Sequence, residues 1–230
     1  GNRNPVTRSL IDSPDFKRAI QALIPTRLLF TQGIGFELTP GKAGLDWHFD
    51  VLSFAFIHPL DPAYTLWIPF DRIDPAGQRG GLEYVPEDAY SARDKMVLTF
   101  RHILRGPEVI ERVGGRDAYR AQMPCSTCER LALEEASIEP EFEPGDALLT
   151  HRFVWHRSCP LGEGPLRRRL AFVMRFVDAD ARYHGTFCRK LAEFSVAYGG
   201  GPFKADFGLS FTDLKDGDRM ISSRFALDVI

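Results

Sequence analysis

The sequence lacks long apolar runs and basic clusters, and each absence removes a class of partner. Its apolar stretches, such as VLSFAFI and LAFV, have the length of β-strands and are far too short to cross a membrane. The 29 Lys and Arg residues are balanced by 31 Asp and Glu residues, and no basic stripe is present. A nucleic acid or an anionic membrane surface normally requires such a stripe, so neither is expected as a partner.

Cysteine is also scarce, with four residues at positions 125, 128, 159 and 188. The CSTC segment, Cys125 to Cys128, resembles half of a zinc knuckle or a redox pair. A second CxxC, a nearby pair of histidines and a βαβ context are all missing, so we interpret the cysteines as reduced thiols. Unclustered cysteines in a chain of this size predict a cytoplasmic protein.

The composition is that of a globular protein, with 44% apolar and 26% charged residues in 230 positions. We expect a single domain over 1–230, with β-rich parts at about 27–86 and 136–183 and a mostly helical insertion at about 87–130. The opening SPDFKRAIQALIP segment predicts a helix capped by Ser13, with Pro14 at its first position.

Several later segments have the alternation and turn signals of strands. They are RLLFTQGIGFELTP, HFDVLSFAFIHP, AYTLWIPFDRI, LEYVP, ALLTHRFVW and RLAFVMRF. No internal repeat or low-complexity tract is present. Many short strands, a leading helix and a helical insertion favour a mainly β fold with helical decoration, a β-sandwich or jelly roll.

The segment GLDWHFD contains two groups that can bind a metal. In a strand, alternation places His48 and Asp50 on one face and Phe49 on the other. A third ligand from elsewhere in the chain would complete a usable site with open positions for substrate and oxygen. The alternative is a strand end at which the two side chains make ordinary hydrogen bonds.

The segment EPGDALLTHRFVWHRS offers the third ligand. His156 lies at the end of the predicted strand, whereas His151 lies five residues earlier, on the opposite face of that strand. Arg169 opens the next strand thirteen residues after His156. Two imidazoles, a carboxylate and a following arginine are typical of non-haem iron oxygenases that use 2-oxoglutarate, because a guanidinium pairs bidentately with a carboxylate.

Four motifs in order resemble the phytanoyl-CoA dioxygenase superfamily: WHFD, LWIPFDRIDPAGQRGGLEYVP, PGDALLTHRFVWHRS and RRRLAFVMRF. They cover about Leu45 to Phe176. The sequence departs from the family at Pro86 to Ala89, where Pro-Gly-Ser-His is usual, and at Arg157, where a glycine is usual. The first departure alters the loop over the site, and the second places a charge beside the metal.

The resemblance implies a double-stranded β-helix (a cupin-like jelly roll) in which His48, Asp50 and His156 bind Fe(II). It also implies 2-oxoglutarate as cosubstrate and O2 as oxidant. Family spacing favours Arg169 as the anchor of 2-oxoglutarate, with Arg167 on the same face as the alternative. Because Asp50 fills the carboxylate position, no site is left for a chloride ligand, and hydroxylation is expected rather than halogenation.

The expected substrate is a small organic metabolite of the kind found in natural-product biosynthesis, and the sequence indicates no oligomeric state. Thr31, Gln32 and Lys42 are further candidates for contact with the cosubstrate. Two other functions stay open. A zinc hydrolase could use the same three ligands with a metal-bound water, and a non-catalytic jelly-roll binding module could have kept the motifs by descent.

Overall fold

A computed structural model describes residues 4–120, 126–198, 211–224 and 227–228. Two helices, α1 (Pro5–Asp12) and α2 (Pro14–Leu23), come first. The second is the predicted helix, with Pro14 at its start and the Ser13 hydroxyl accepting a hydrogen bond from the Phe16 N–H at 3.5 Å. The first was not predicted, although Asn4 caps it and a proline opens it in the same way.

The strands and remaining helices follow in chain order. They are β1 (Leu28–Leu38), β2 (Ala63–Pro69), β3 (Leu82–Tyr84), α3 (Arg93–Arg105), α4 (Glu108–Arg112), α5 (Arg116–Arg120), α6 (Thr127–Ala136), β4 (Leu148–His151), β5 (His156–Ser158), β6 (Arg169–Asp178), α7 (Gly185–Tyr198) and β7 (Leu227–Asp228). Short 3-10 turns cover Leu52–Phe54 and Met220–Ser222.

A five-stranded sheet with the order β4-β2-β6-β1-β7 forms the main layer, and β3 pairs with β5 in a second, two-stranded sheet. All the pairings are antiparallel. The longest pairing, β1 with β6, runs from Leu28 opposite Asp178 to Leu38 opposite Arg169, with a bulge between Phe30 and Gln32. This is the mainly β, jelly-roll architecture with helical decoration that the sequence predicts.

Alternation along the strands gives the main sheet two different faces. The outer face packs Leu66, Met174 and Phe176 against Ile11 and Ile20 of the two leading helices. The inner face contributes Trp67, Ala171 and Val173 to a separate cluster with Leu82 of the small sheet. The space between the two sheets is therefore where the inward-facing polar residues of β2 and β6 meet.

The predicted strand over HFDVLSFAFIHP is wrong. His48 makes only an isolated bridge to His156, and a 3-10 turn at Leu52–Phe54 follows. The four residues Phe54 to Ile57 are all buried. Such consecutive burial does not fit a strand with one exposed face, and it fits a turn that is packed into the core.

The single strand predicted over ALLTHRFVW is also wrong, because the observed strand is shorter. It ends at His151, and the chain turns so that His156 begins β5 in the other sheet. Arg152 stabilises this turn because its fully buried guanidinium donates hydrogen bonds to the carbonyls of Phe54, His58 and Asp61. His151 and His156 therefore do not share a strand.

Helices α3 to α6 lie between the β-rich parts, and α7 follows β6. The sequence prediction missed α7, whose buried Phe187, Leu191 and Phe194 pack into the largest hydrophobic cluster. None of the helices in the described ranges combines the length and hydrophobicity that crossing a bilayer requires. The division into one domain with a helical insertion stays a prediction. The glycine-rich segment YGGGPFKADFG predicts a loop, and after Tyr198, which ends α7, it lies wholly outside the described residues.

Candidate metal centre

His48, Asp50 and His156 come together although they lie on different segments of the chain. One ligand atom from each side chain lies within 4.8 Å of the other two. The bridge between the two segments brings them close, since the His48 N–H donates to the His156 carbonyl at 3.0 Å and the reverse bond is 2.9 Å. Phe49, between the first two ligands, turns away and packs on Trp155 with ring centres 4.8 Å apart.

Both imidazoles are oriented by the main chain. Nδ1 of His48 lies 2.6 Å from the Asp46 carbonyl, and Nδ1 of His156 lies 2.9 Å from the Val154 carbonyl. A carbonyl accepts but does not donate, so each Nδ1 carries a hydrogen, and the tautomer this selects has its lone pair on Nε2. This is the arrangement in which histidine binds a metal while its other nitrogen is held by the protein.

The carboxylate of Asp50 is held by two hydroxyl groups. Ser53 donates to Oδ1 at 2.8 Å, and Thr65 of β2 donates to Oδ2 at 2.7 Å. Burial would raise the pKa of Asp50, but the nearby His156, Arg175 and His48 outweigh it and lower the pKa to about 2. The group is therefore an anion at neutral pH, as a metal ligand must be.

Burial lowers the pKa of His48 to about 4, and the proximity of His156 lowers it further in the same direction. His48 is thus a neutral imidazole at pH 7 and can give its lone pair to an ion. Two imidazoles and one carboxylate on one side of a prospective ion fit a facial triad with open positions opposite. The donor set of this chain therefore fits Fe(II).

A cavity of about 290 Å³ opens beside these three residues, between the two sheets. Trp67, Leu82 and Val173 provide apolar walls, and Thr65 and Thr150 provide hydroxyl groups. Two arginines of β6, Arg169 and Arg175, also line it. The cavity therefore combines a group of potential metal ligands, two arginine cations and an apolar wall.

Arg169 is almost completely buried, and its Nε donates to the Gly80 carbonyl at 2.6 Å. Its guanidinium lies 5.3 Å from the centre of the Trp67 ring. Burial lowers its pKa. By contrast, Arg167 and Arg168 are exposed and precede the strand, and Arg168 lies 3.6 Å from Glu37. Of these three arginines, the structure brings only Arg169 into the cavity.

The other residues singled out from the sequence lie elsewhere or serve other contacts. His151 packs edge-on to Tyr64 with ring centres 5.2 Å apart. Arg157 faces away from the ligand atoms, because its guanidinium lies 4.8 Å over the Trp47 ring and bonds to Glu83 and Glu134. Lys42 is exposed and does not line the cavity.

The sequence reasoning missed Ser53, Thr65 and Arg175. Thr65 has the same strand parity as Trp67, and Arg175 has the same parity as Arg169, so alternation could have placed both in the cavity. Of the cysteines, Cys128 is exposed and Cys159 and Cys188 are buried, each without a disulfide. Cys125 lies outside the described residues, so the paired reading of CSTC stays untested.

Gly44 permits a close approach between the chain after β1 and strand β5. A Cβ at this position would lie 2.3 Å from the Cβ of Ser158, two residues after His156. We expect Gly44→Ala to destabilise the protein by about 1–3 kcal/mol, as overpacking does, and to weaken metal binding by displacing β5. Urea unfolding and metal titration would measure both. Gly35→Ala is the control, because a Cβ there meets nothing within 4 Å, and equal effects of the two changes would contradict the prediction.

Acid should destabilise the metal-free protein before its carboxylates are protonated. Burial lowers the pKa values of both His48 and His151 to about 4, while the unfolded chain takes up these protons near pH 6.5. Between these pH values the unfolded state holds more protons, so the free energy of unfolding falls as the pH falls. We expect a loss on the order of 1 kcal/mol per pH unit for each histidine. Urea unfolding at several pH values would measure this loss, and His151→Gln should make the free energy of unfolding depend less steeply on pH. A flat profile from pH 6.5 to 4 would contradict the prediction.

The chain matches no protein-family model and no curated protein. Among solved structures it is similar to the non-heme alpha ketoglutarate dependent carbocyclase SnoK from nogalamycin biosynthesis, with a TM-score of 0.63 and 18% identity over 100% of this chain and 73% of that one. The epimerase SnoN from the same biosynthesis gives a TM-score of 0.57 and 15% identity over 99% and 73%. EctD from S. alaskensis gives 0.55 and 14% over 80% and 57%. The chain therefore has the jelly-roll fold of known non-haem α-ketoglutarate-dependent enzymes.

Proposed function

We propose that this protein is an Fe(II)- and 2-oxoglutarate-dependent oxygenase that hydroxylates a small organic metabolite. The observation that carries the proposal is the group of His48, Asp50 and His156, with each Nδ1 held by a carbonyl and the ligand atoms beside a cavity that contains a buried arginine. The fold shared with SnoK and SnoN supports it. The resemblance to the phytanoyl-CoA dioxygenase superfamily rests on the sequence motifs alone.

In this proposal each residue has a separate task. His48, Asp50 and His156 hold the iron, and Ser53 and Thr65 keep the carboxylate of Asp50 in place. Bound Fe(II), 2-oxoglutarate and O2 supply the oxidising chemistry, with succinate and CO2 as coproducts. Arg169 pairs with the carboxylate of the cosubstrate that is distant from the metal. The apolar walls, including Trp67 and Val173, exclude water from the reacting groups.

A single assay tests the proposal. The purified protein, freed of metal and reloaded with Fe(II) under reducing conditions, should convert 2-oxoglutarate to succinate, and a true substrate should accelerate the conversion. Zn(II) should not support it, whereas a zinc hydrolase would need no 2-oxoglutarate. Failure to release succinate while Zn(II) supports ester or amide hydrolysis would move the zinc hydrolase to first place. Failure to bind any metal would favour the non-catalytic binding module.

Product analysis would separate hydroxylation from the alternatives. Hydroxylation adds one oxygen atom to the substrate, ring closure or desaturation removes two hydrogen atoms, and epimerisation leaves the composition unchanged. Solved neighbours include a carbocyclase and an epimerase, so this measurement decides the reaction class. A screen of small metabolites for stimulated succinate release would identify the substrate. The cytoplasmic location stays a prediction.

A further inference from the structure

Arg175 is a second arginine in the cavity, half-buried as a residue, and neither the proposed metal ligands nor Arg169 account for it. It lies on β6 beside the metal-binding group, and its terminal nitrogen donates to Oε1 of Gln32 at 2.6 Å. Its Nε is buried and has no hydrogen-bond partner in the described part of the chain. The second terminal nitrogen of Arg175 also has no acceptor among the described residues, and Arg175 lines the cavity, so the guanidinium is incompletely satisfied and an acceptor from a bound molecule is expected there.

The register of the sheet places Arg175 in a polar row. Thr150 of β4 lies opposite Thr65 of β2, Thr65 lies opposite Arg175, and Arg175 lies opposite Gln32 of β1. On β6 the inward-facing positions nearest to Arg175 are Val173 and Val177, both buried apolar residues. Thr150, Thr65, Arg175 and Gln32 thus form a row of hydrogen-bonding groups across the sheet, next to Asp50, and apolar residues flank Arg175 along β6.

The charges in the cavity leave Arg175 unmatched. Glu37 also lines the cavity, but it is exposed and lies 3.6 Å from Arg168, so it does not neutralise Arg175. Asp50 is the acidic group that acts on Arg175, and no carboxylate lies within ion-pair distance of it in the described ranges. In the proposed function, a divalent metal with Asp50 keeps one positive charge, and Arg169 adds a second. The dianion 2-oxoglutarate neutralises those two charges and leaves the charge of Arg175. A charge held partly out of water without a counter-charge is costly, so a second anion in the loaded cavity is favoured.

We propose that Arg175 is a specificity-determining residue that binds an acidic group of the primary substrate, so that the substrate is a small carboxylate. The proposal rests on the proposed function, because the charge argument requires bound metal and 2-oxoglutarate. Arg175 suits this task because a guanidinium presents several donors in one plane and holds a carboxylate with defined geometry. Gln32 holds one terminal nitrogen of the fork, and no described residue accepts a hydrogen bond from the other, which is left for the substrate.

The test uses the protein loaded with Zn(II), which does not turn over, and saturating 2-oxoglutarate. The probes are benzoate and propionate, each compared with its neutral amide, benzamide or propionamide, by isothermal titration calorimetry. We expect at least one carboxylate to bind together with 2-oxoglutarate, more tightly than its amide. Arg175→Gln should weaken that carboxylate at least about tenfold, in line with the loss of one charged hydrogen-bonded pair, and should leave the amide unchanged.

Two further variants keep the result interpretable. Arg175→Lys retains the charge but not the planar fork, so it should bind the carboxylate more weakly than wild type and more tightly than Arg175→Gln, and it provides a second measurement if Arg175→Gln proves too unstable to study. Arg168→Gln, the same change at an exposed position, should have no effect. The proposal is overturned if neither carboxylate binds, if binding is the same in Arg175→Gln, or if the carboxylate displaces 2-oxoglutarate, which would assign Arg175 to the cosubstrate.

The order of titrations separates this inference from the proposed function. Metal is added to the wild-type protein first, 2-oxoglutarate second and the probe last. If 2-oxoglutarate does not bind to the metal-loaded protein, the proposed function fails. If 2-oxoglutarate binds but no probe depends on Arg175, only the identity of the substrate as a carboxylate fails.

Discussion

Asp50→Asn should reduce Fe(II)-dependent succinate formation by more than about 100-fold. Mutating a residue that only hydrogen-bonds to a metal ligand already lowers activity by up to that factor, and Asp50 is itself a proposed ligand. The change removes the anionic ligand from the group of three and leaves its shape. An asparagine can still bond to the hydroxyls of Ser53 and Thr65, which now donate to the two carboxylate oxygens. Metal affinity should fall along with turnover, as measured by titration of the metal-free protein.

Asp46→Asn is the matched control, since it makes the same chemical change two residues from His48. The carboxylate of Asp46 is exposed and pairs with Arg130, while its main-chain carbonyl, which holds His48, is untouched. It should keep near-wild-type metal affinity. Near-full turnover in Asp50→Asn would show that the metal group is assigned wrongly.

Asp50→Ala tests a different property of the same site. Asp50 is only 5% exposed, and its removal leaves two hydroxyl groups without their acceptor and Arg175 without its neighbouring anion. Leaving a buried hydrogen-bond donor unsatisfied costs about 1–3 kcal/mol, so this variant should unfold at lower urea concentration than Asp50→Asn, which keeps an acceptor. The asparagine variant is therefore the one that isolates catalysis from folding.

The main-sheet strands β1, β2 and β6 were readable from the sequence. Their side chains alternate between two packed faces, and a one-residue slip would exchange the residues under the leading helices with those facing the small sheet, so their positions are strongly specified. The spacing of His48 and Asp50 was readable for the same reason, even though the strand expected there is a bridge followed by a turn. Two neighbouring same-side positions hold the ligands in both arrangements.

The turn between His151 and His156 could not be predicted from the local sequence, because hydrogen bonds to residues far away in the chain stabilise it. Arg152 is held there by carbonyls more than ninety residues earlier in the chain. The role of Arg175 depends likewise on cross-strand neighbours, Gln32 and Thr65, that only the register brings beside it.

Helix α7 is a different case. Phe187, Leu191 and Phe194 have helical spacing in the sequence, and that signal was overlooked.

In our proposals the two cavity arginines of β6 bind different anions: Arg169 binds 2-oxoglutarate, and Arg175 binds the substrate. Arg169 is fixed at its Nε by Gly80 and lies against Trp67, so its remaining nitrogens are held in one plane. No described residue accepts a hydrogen bond from those nitrogens. Arg175 lies next to Asp50 and is fixed by Gln32 instead. The same strand can therefore present one guanidinium to the cosubstrate and another to the substrate.

Arg169→Ala should raise the apparent Michaelis constant for 2-oxoglutarate by roughly 30-fold or more. A buried guanidinium paired with a carboxylate contributes on the order of 2–5 kcal/mol, partly because its loss leaves the other charge unpaired, and each 1.4 kcal/mol is a factor of ten. Steady-state succinate formation at varied 2-oxoglutarate would measure the change. Iron affinity should alter little, because Arg169 is not among the metal ligands.

Arg168→Ala and Arg167→Ala make the same change at exposed positions immediately before the strand. Arg168→Ala should leave the apparent Michaelis constant for 2-oxoglutarate unchanged. A large effect of Arg167→Ala with none from Arg169→Ala would mean that the other candidate from the sequence is the anchor, contrary to its exposure. A large effect of Arg175→Gln on the apparent Michaelis constant for 2-oxoglutarate would exchange the roles proposed for the two cavity arginines. If none of these arginines affected 2-oxoglutarate, the cosubstrate assignment would fall. The same three ligands would then be better explained by hydrolysis at zinc, which needs no guanidinium in the cavity.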